Sequence, residues 1–156
     1  MFTTLNPIPV TIIRHPKERL SKCSLQPLQG RNDIKFLKAG PNLCFDATDF
    51  ILLSVDAPPL SKEDAQHPLL LLDSTWRLLP DLEKCVTGTP LRRSLPSSIK
   101  TAYPRKSKIT PDPDTGLASI EALYLAKYIL GDNDLSLLDS YYWKDAFLEE
   151  IKKQGL

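Results

Sequence analysis

The chain has 156 residues, 42% of them hydrophobic, with 20 basic against 19 acidic side chains. That length suits one domain with a core of its own, and the near-neutral net charge excludes any reading of partners from total charge. Three cysteines (Cys23, Cys44, Cys85) without C-x-x-C spacing exclude a disulfide framework and a zinc module, and neither His15 nor His67 has a ligand partner at a recognisable spacing. No metal is expected. No apolar run is long enough to span a bilayer and the N-terminal residues show no signal-peptide pattern, so the expectation is a cytoplasmic protein without a membrane partner.

In chain order, residues 9–13 are β-branched and predict a first strand ending at Arg14-His15-Pro16. Residues 17–28 read as a loop or short helix, and 34–37 as a short strand closed by Gly40-Pro41. Residues 49–54 predict a buried strand, followed by a Pro58-Pro59 turn. Ser61 with Asp64 three residues on resembles a capping box opening one helical turn. Four leucines, 69–72, then make a strand buried on both faces. Beyond it Leu78, Leu79, Leu82 and Val86 recur at helical spacing, with Pro80 restricting the start and Gly88 and Pro90 the end. Residues 98–102 read as a fifth strand, and 103–116 as a long loop of the kind that carries function. Residues 117–130 give the best helix, with Ile120, Leu123, Tyr124 and Ile129 as its apolar stripe and Gly131 at its end. A last helix spans 141–153, its final-turn Lys152 and Lys153 complementing the dipole. Buried strands alternating with helices predict a single α/β domain with a mostly parallel sheet flanked by helices.

The leucine strand ends in Asp73-Ser74-Thr75-Trp76. In open α/β sheets the crevice beyond the strand carboxyl ends is the usual ligand site. A carboxylate there takes a ribose hydroxyl or a substrate proton, and an indole covers an apolar ligand face. The competing reading is a capped helix start with Trp76 in the core. Charge is also unevenly placed. Arg92, Arg93, Lys100, Arg105, Lys106 and Lys108 follow one another without an acidic residue between them, and Lys17 and Arg19 add to a basic N-terminal segment. Such patches suit a polyanion such as RNA.

Four segments combine into a resemblance: Ile13-Arg14-His15-Pro16-Lys17-Glu18, Asp73-Ser74-Thr75-Trp76, Tyr103-Pro104-Arg105-Lys106, and Leu117-Ala118-Ser119-Ile120-Glu121-Ala122. Their order and spacing resemble the DTW-domain family, whose D-x-T-W motif is matched by Asp73, Thr75 and Trp76, over about residues 10–150. The wider superfamily includes an enzyme that places an aminocarboxypropyl group on a pseudouridine of small-subunit ribosomal RNA, and Trp143-Lys144-Asp145-Ala146-Phe147 resembles a W-G-x-x-F segment of that branch. The resemblance implies a SPOUT-like domain over 1–156 with a C-terminal trefoil knot. It also implies transfer of the 3-amino-3-carboxypropyl group of S-adenosylmethionine to N3 of a uridine in tRNA. A monomer is expected.

On the same grounds Asp73 is the candidate for the N3 proton or the ribose, and Trp76 packs against the donor. Leu53, Ser54, Ser74, Thr75, Tyr103, Leu117, Ser119 and Glu121 complete the donor site, and the basic residues from Lys17 to Lys108 named above meet RNA. Each has a plainer alternative: Glu121 as a helix cap, His15 as a hydrogen-bonded turn residue, Arg105 and Lys106 as a solvated loop, Tyr141 and Tyr142 as packing residues. Ala118 and Ser119 stand where the family has Ser-Thr, so one hydroxyl is lost. The competing activities are aminocarboxypropyl transfer to rRNA pseudouridine, RNA methylation from the same donor, and RNA binding without catalysis.

Overall fold

The described residues build a sheet of five strands. The computed structural model describes residues 8–16, 25–73, 78–102 and 117–156. In chain order its strands are β1 (Val10–Arg14), β2 (Ile34–Lys38), β3 (Phe45–Asp46), β4 (Ile51–Leu53), β5 (Leu69–Asp73), β6 (Val86–Thr87) and β7 (Leu91–Arg93). Five of them form one sheet in the order β2-β1-β5-β4-β7, and every pairing in it is parallel. β3 and β6 pair as a separate two-stranded ribbon.

A parallel sheet needs cover on both faces, which is why its central strands read as unbroken apolar runs. All of β1 is buried, as are Leu69, Leu70 and Leu71 of β5. Side chains alternate between two cores. Val10, Ile12, Leu69 and Leu71 join α2 (Ser119–Ile129) and α3 (Lys144–Lys153) on one face. Ile13, Leu52 and Leu70 join Leu82 and Cys85, at and just beyond α1 (Leu79–Glu83), on the other. The expected α/β domain with a mostly parallel sheet flanked by helices is the one observed.

Several elements differ from the sequence reading. The fifth sheet strand is Leu91–Arg93, while 98–102 lies in no strand. Within that segment Ile99 is buried, and Ala102 gives its N–H to the Glu121 carboxylate at 2.8 Å instead of to a ladder. α1 stops at Glu83 after a proline-restricted start, and Val86 belongs to β6. The strand expected over 49–54 is confined to Ile51–Leu53, and α3 begins at Lys144. α2 is buried almost all round rather than along one stripe, with Glu121 and Lys127 fully enclosed and Ile129 half-buried.

The edge of the sheet where β1 begins is clamped by charge. Lys127 Nζ, fully buried, lies 3.5 Å from Asp33, 3.2 Å from Asp132 and 3.5 Å from Asp134. Arg31 reaches Asp33 at 3.0 Å and Asp134 at 2.6 Å, and Ile8 gives its N–H to Asp132 at 3.1 Å. An ammonium buried this deeply persists only with such partners. The Asp33 carboxyl is held below its ordinary range by the Arg31 hydrogen bond.

Candidate active site at the strand ends

The chain leaves β1 outward to β2, but leaves β5 towards β7 on the opposite side, with the two connections covering opposite faces of the sheet. The C-terminal ends of β1 and β5 are therefore the topological switch point, where such sheets bind ligands. Arg14 and Asp73 end these two strands in register with each other.

Arg14 Nε donates to Asp73 Oδ2 at 3.3 Å, and the guanidinium sits 4.8 Å over the Phe36 ring. Ser119, the first residue of α2, donates its hydroxyl to Asp73 Oδ1 at 2.8 Å. Asp73 is only 3% exposed. A carboxylate at that depth needs partners on both oxygens, and the geometry supplies a guanidinium and a hydroxyl. Strand end and helix start are thereby tied together. The packing of Arg14 against an aromatic face also uses the planarity that lysine lacks.

Glu121 secures the helix from below. Its carboxylate is fully buried and takes four donors: Thr101 Oγ1 at 2.5 Å and the Ala118 N–H at 2.8 Å on Oε1, the Ala102 N–H at 2.8 Å and Tyr141 Oη at 3.0 Å on Oε2. The Ala118 contact is half a capping box, because alanine has no hydroxyl with which to return the bond. Of the two roles open to Glu121 from sequence, capping is the one displayed. One residue thus holds α2, the 99–102 segment and the approach to α3 in a single arrangement.

Leu53 and Ser54 close β4 beside β5. The Ser54 hydroxyl accepts from Arg92 Nη1 at 3.2 Å, and its N–H bonds the Arg93 carbonyl at 2.9 Å. Leu117 is half-buried just before α2. The structure thus brings Asp73, Ser119, Leu117, Glu121, Leu53 and Ser54 to the strand-end side of the sheet. Ser74, Thr75, Trp76 and Tyr103 lie outside the described residues, as do Lys17, Arg19, Arg105, Lys106 and Lys108.

Of the remaining RNA candidates, Arg92 is half-exposed and pairs with Glu83 at 3.0 Å. Arg93 is more enclosed and pairs with Asp64 at 3.2 Å, and Lys100 is exposed. His15 is 6% exposed, its Nε2 lying 3.2 Å from Asp81 Oδ2, in keeping with a hydrogen-bonded turn residue. Tyr142 departs from its expected packing role, being 85% exposed on the turn before α3 with its ring edge-on to Trp143.

Arg14 is the functional candidate that sequence reasoning passed over. Its signal was present: a cation closing a β-branched run that is buried on both faces must find an anion at a neighbouring strand end. No group of metal-ligating side chains occurs among the described residues, and none of the described helices is long and apolar enough to cross a membrane.

No family model matches the chain, and no curated protein matches its sequence. Among solved structures it is similar to the SAM-dependent rRNA:acp-transferase Tsr3 from Vulcanisaeta distributa. The TM-score is 0.71 and the identity 25%, over 94% of this chain and 80% of that one.

Proposed function

We propose that the chain transfers the 3-amino-3-carboxypropyl group of S-adenosylmethionine to N3 of a uridine in RNA, with tRNA as the acceptor. The observation that carries this reading is the coincidence of a buried polar cluster (Arg14, Asp73 and Ser119) at the sheet's switch point with likeness in fold to a transferase of that donor. The donor suits what the strand ends offer. Asp73, anchored by Arg14 and Ser119, is an acceptor for ribose hydroxyls, and Leu53 and Leu117 offer apolar surface for adenine. The reading assigns Trp76 to the sulfonium side of the donor, where cation–π attraction would operate.

In the transfer, uridine N3 bonds to the γ-carbon of the side chain, the carbon–sulfur bond breaks with its electron pair going to sulfur, and methylthioadenosine leaves. The N3 proton passes to a base. The sulfonium activates all three of its carbons, so choosing one is a matter of positioning, the largest contribution a rigid site makes. With Oδ1 and Oδ2 already engaged by Ser119 and Arg14, Asp73 serves as an anchor for the ribose rather than as that base.

The neighbour's acceptor is rRNA, which favours aminocarboxypropyl transfer to rRNA as a second reading. The same proposal carries a SPOUT-like, knotted C-terminal half and a cytoplasmic monomer; an experimental chain trace through 103–116 tests the knot. For the reaction itself, protein and donor are incubated separately with tRNA and rRNA and the nucleosides analysed by mass spectrometry. An aminocarboxypropyl gain on uridine with methylthioadenosine released is expected. A methyl gain with S-adenosylhomocysteine released, or RNA binding without turnover, overturns the reading.

A further inference from the structure

Tyr142 and Trp143 form an aromatic pair on the turn that leads into α3, with ring centroids 4.6 Å apart and ring planes at 79°. Tyr142 is 85% exposed, so its ring contributes almost nothing to the core. Single exposed rings are common on protein surfaces, but this one is held. Its edge-on contact with the half-buried Trp143 is a favoured geometry for a ring pair, and it braces Tyr142 while leaving ring surface open to solvent. The pair also has a fixed place beside the Asp73 cluster. The preceding residue, Tyr141, donates its hydroxyl to Glu121 Oε2 at 3.0 Å, the oxygen that takes the Ala102 N–H at 2.8 Å. Glu121 in turn caps α2, whose first residue, Ser119, bonds Asp73. Tyr141 packs against the core on the α2 face of the sheet, so the pair lies on the face proposed for the donor.

Charges of both signs are mixed around the rings. Lys144 pairs with Asp139 at 3.4 Å, Asp145 is exposed, and Lys100 is exposed on the segment whose backbone N–H Glu150 accepts at 3.1 Å. Such a mixture holds phosphate weakly, and what distinguishes the place is an open π face. We infer that Tyr142, braced by Trp143, stacks an unpaired base of the RNA acceptor that flanks the modified uridine, an inference that rests on the transferase reading above. N3 of uridine lies on its Watson–Crick edge, so a uridine that reacts there is unpaired, and RNA around an unpaired base offers further bases for stacking. Every nucleobase has a π face, so a braced aromatic ring next to the site takes whichever base is adjacent and adds affinity without reading sequence.

The exposure of Tyr142 makes the test clean, because replacing it disturbs no packed core. Wild type, Tyr142→Ala and Tyr142→Phe are titrated into a fluorophore-labelled oligouridylate of about ten nucleotides, long enough for one single-strand site, and anisotropy is read at several salt concentrations. Inorganic polyphosphate, a polyanion without bases, and S-adenosylmethionine are titrated into the same proteins by calorimetry. Tyr142→Ala is expected to bind the oligouridylate about tenfold more weakly, the size of one stacked base, while Tyr142→Phe stays within about twofold of wild type. The salt dependence of affinity should be unchanged in Tyr142→Ala, since no phosphate contact is lost, and polyphosphate and donor should bind as in wild type. No binding of oligouridylate by wild type, unaltered binding by Tyr142→Ala, an equal loss of polyphosphate, or a Tyr142→Phe as weak as the alanine variant overturns the inference. Self-association of wild type that Tyr142→Ala abolishes in sedimentation makes the pair a dimer contact and overturns it as well. If donor binds while Tyr142→Ala holds the oligouridylate normally, only this inference fails. If binding depends on Tyr142 in a protein that takes no donor, the platform stands and the transferase reading fails.

Discussion

Replacing Glu121 with glutamine keeps its shape and removes its charge, and the outcome follows from counting donors. Each carboxylate oxygen of Glu121 accepts one hydroxyl and one backbone N–H: Thr101 with Ala118 on one, Tyr141 with Ala102 on the other. A glutamine must place its NH2 on one side or the other. Whatever the hydroxyl on that side does, the backbone N–H cannot turn and accept, so either rotamer orphans one half-buried N–H. That costs about 1–3 kcal/mol, and the two bonds kept on the carbonyl oxygen lose about 1 kcal/mol each as they fall from charged to neutral strength. Relief of burying a charge works the other way and brings the net to about 3 kcal/mol. For a chain of 156 residues this lowers Tm by roughly 6–12 °C, measured by circular dichroism. A fall of less than about 2 °C would refute the reasoning, since it would mean that the carboxylate is not the common anchor of α2 and the 99–102 segment.

Other expectations are independent of that anchor. Lys127→Met should destabilise by about 3 kcal/mol in urea unfolding, because Asp33, Asp132 and Asp134 lose their buried cation, and a change below about 1 kcal/mol would contradict the clamp. Gly131→Ala, at φ +97° with Lys62 as its nearest neighbour at 3.7 Å, should cost about 1–2 kcal/mol. Gly88→Ala should cost more, since at φ +81° its Cβ would also run into the Asp46 carboxylate and the Thr48 hydroxyl and disturb the bond between them; equal costs would show that these side chains move aside freely. Stability should also fall in acid. Burial pushes the Asp134 carboxyl up, but the Ser136 hydroxyl and Arg31 outweigh it, and Arg31 likewise holds Asp33 down. Folded-state values below the ordinary 3.8 mean stability that is present above that pH and lost as pH falls through the depressed values. Arg31→Ala should flatten the melting profile in that window; an unchanged profile would contradict the assignment.

The sheet centre was legible because burial on both faces leaves a direct trace: the four leucines of 69–72 and the β-branched 10–13 allow little else. Leu91–Arg93 was not, since an edge strand with two arginines reads as a basic loop until its pairing with β4 and the Arg93–Asp64 contact are seen. The end of β5 and the start of α2 were recognisable as site segments from Asp73, Ser119 and Glu121. Their partnership was not, because nothing local says that Ser119 bonds Asp73 across 46 positions or that Arg14 does so across 59. Glu121 shows the limit most clearly. Its spacing from Ala118 announced a cap, while its bonds to Thr101, Ala102 and Tyr141 depend on tertiary contacts that no spacing encodes.

The most direct measurement is a crystal structure of the protein soaked with S-adenosylmethionine. Donor density is expected beyond the C-terminal ends of β1 and β5, on the α2 face, with a ribose hydroxyl within hydrogen-bond distance of Asp73. Donor seated on the α1 face, or a crevice closed by the protein's own side chains under saturating donor, would contradict the assignment of the switch point as the donor site.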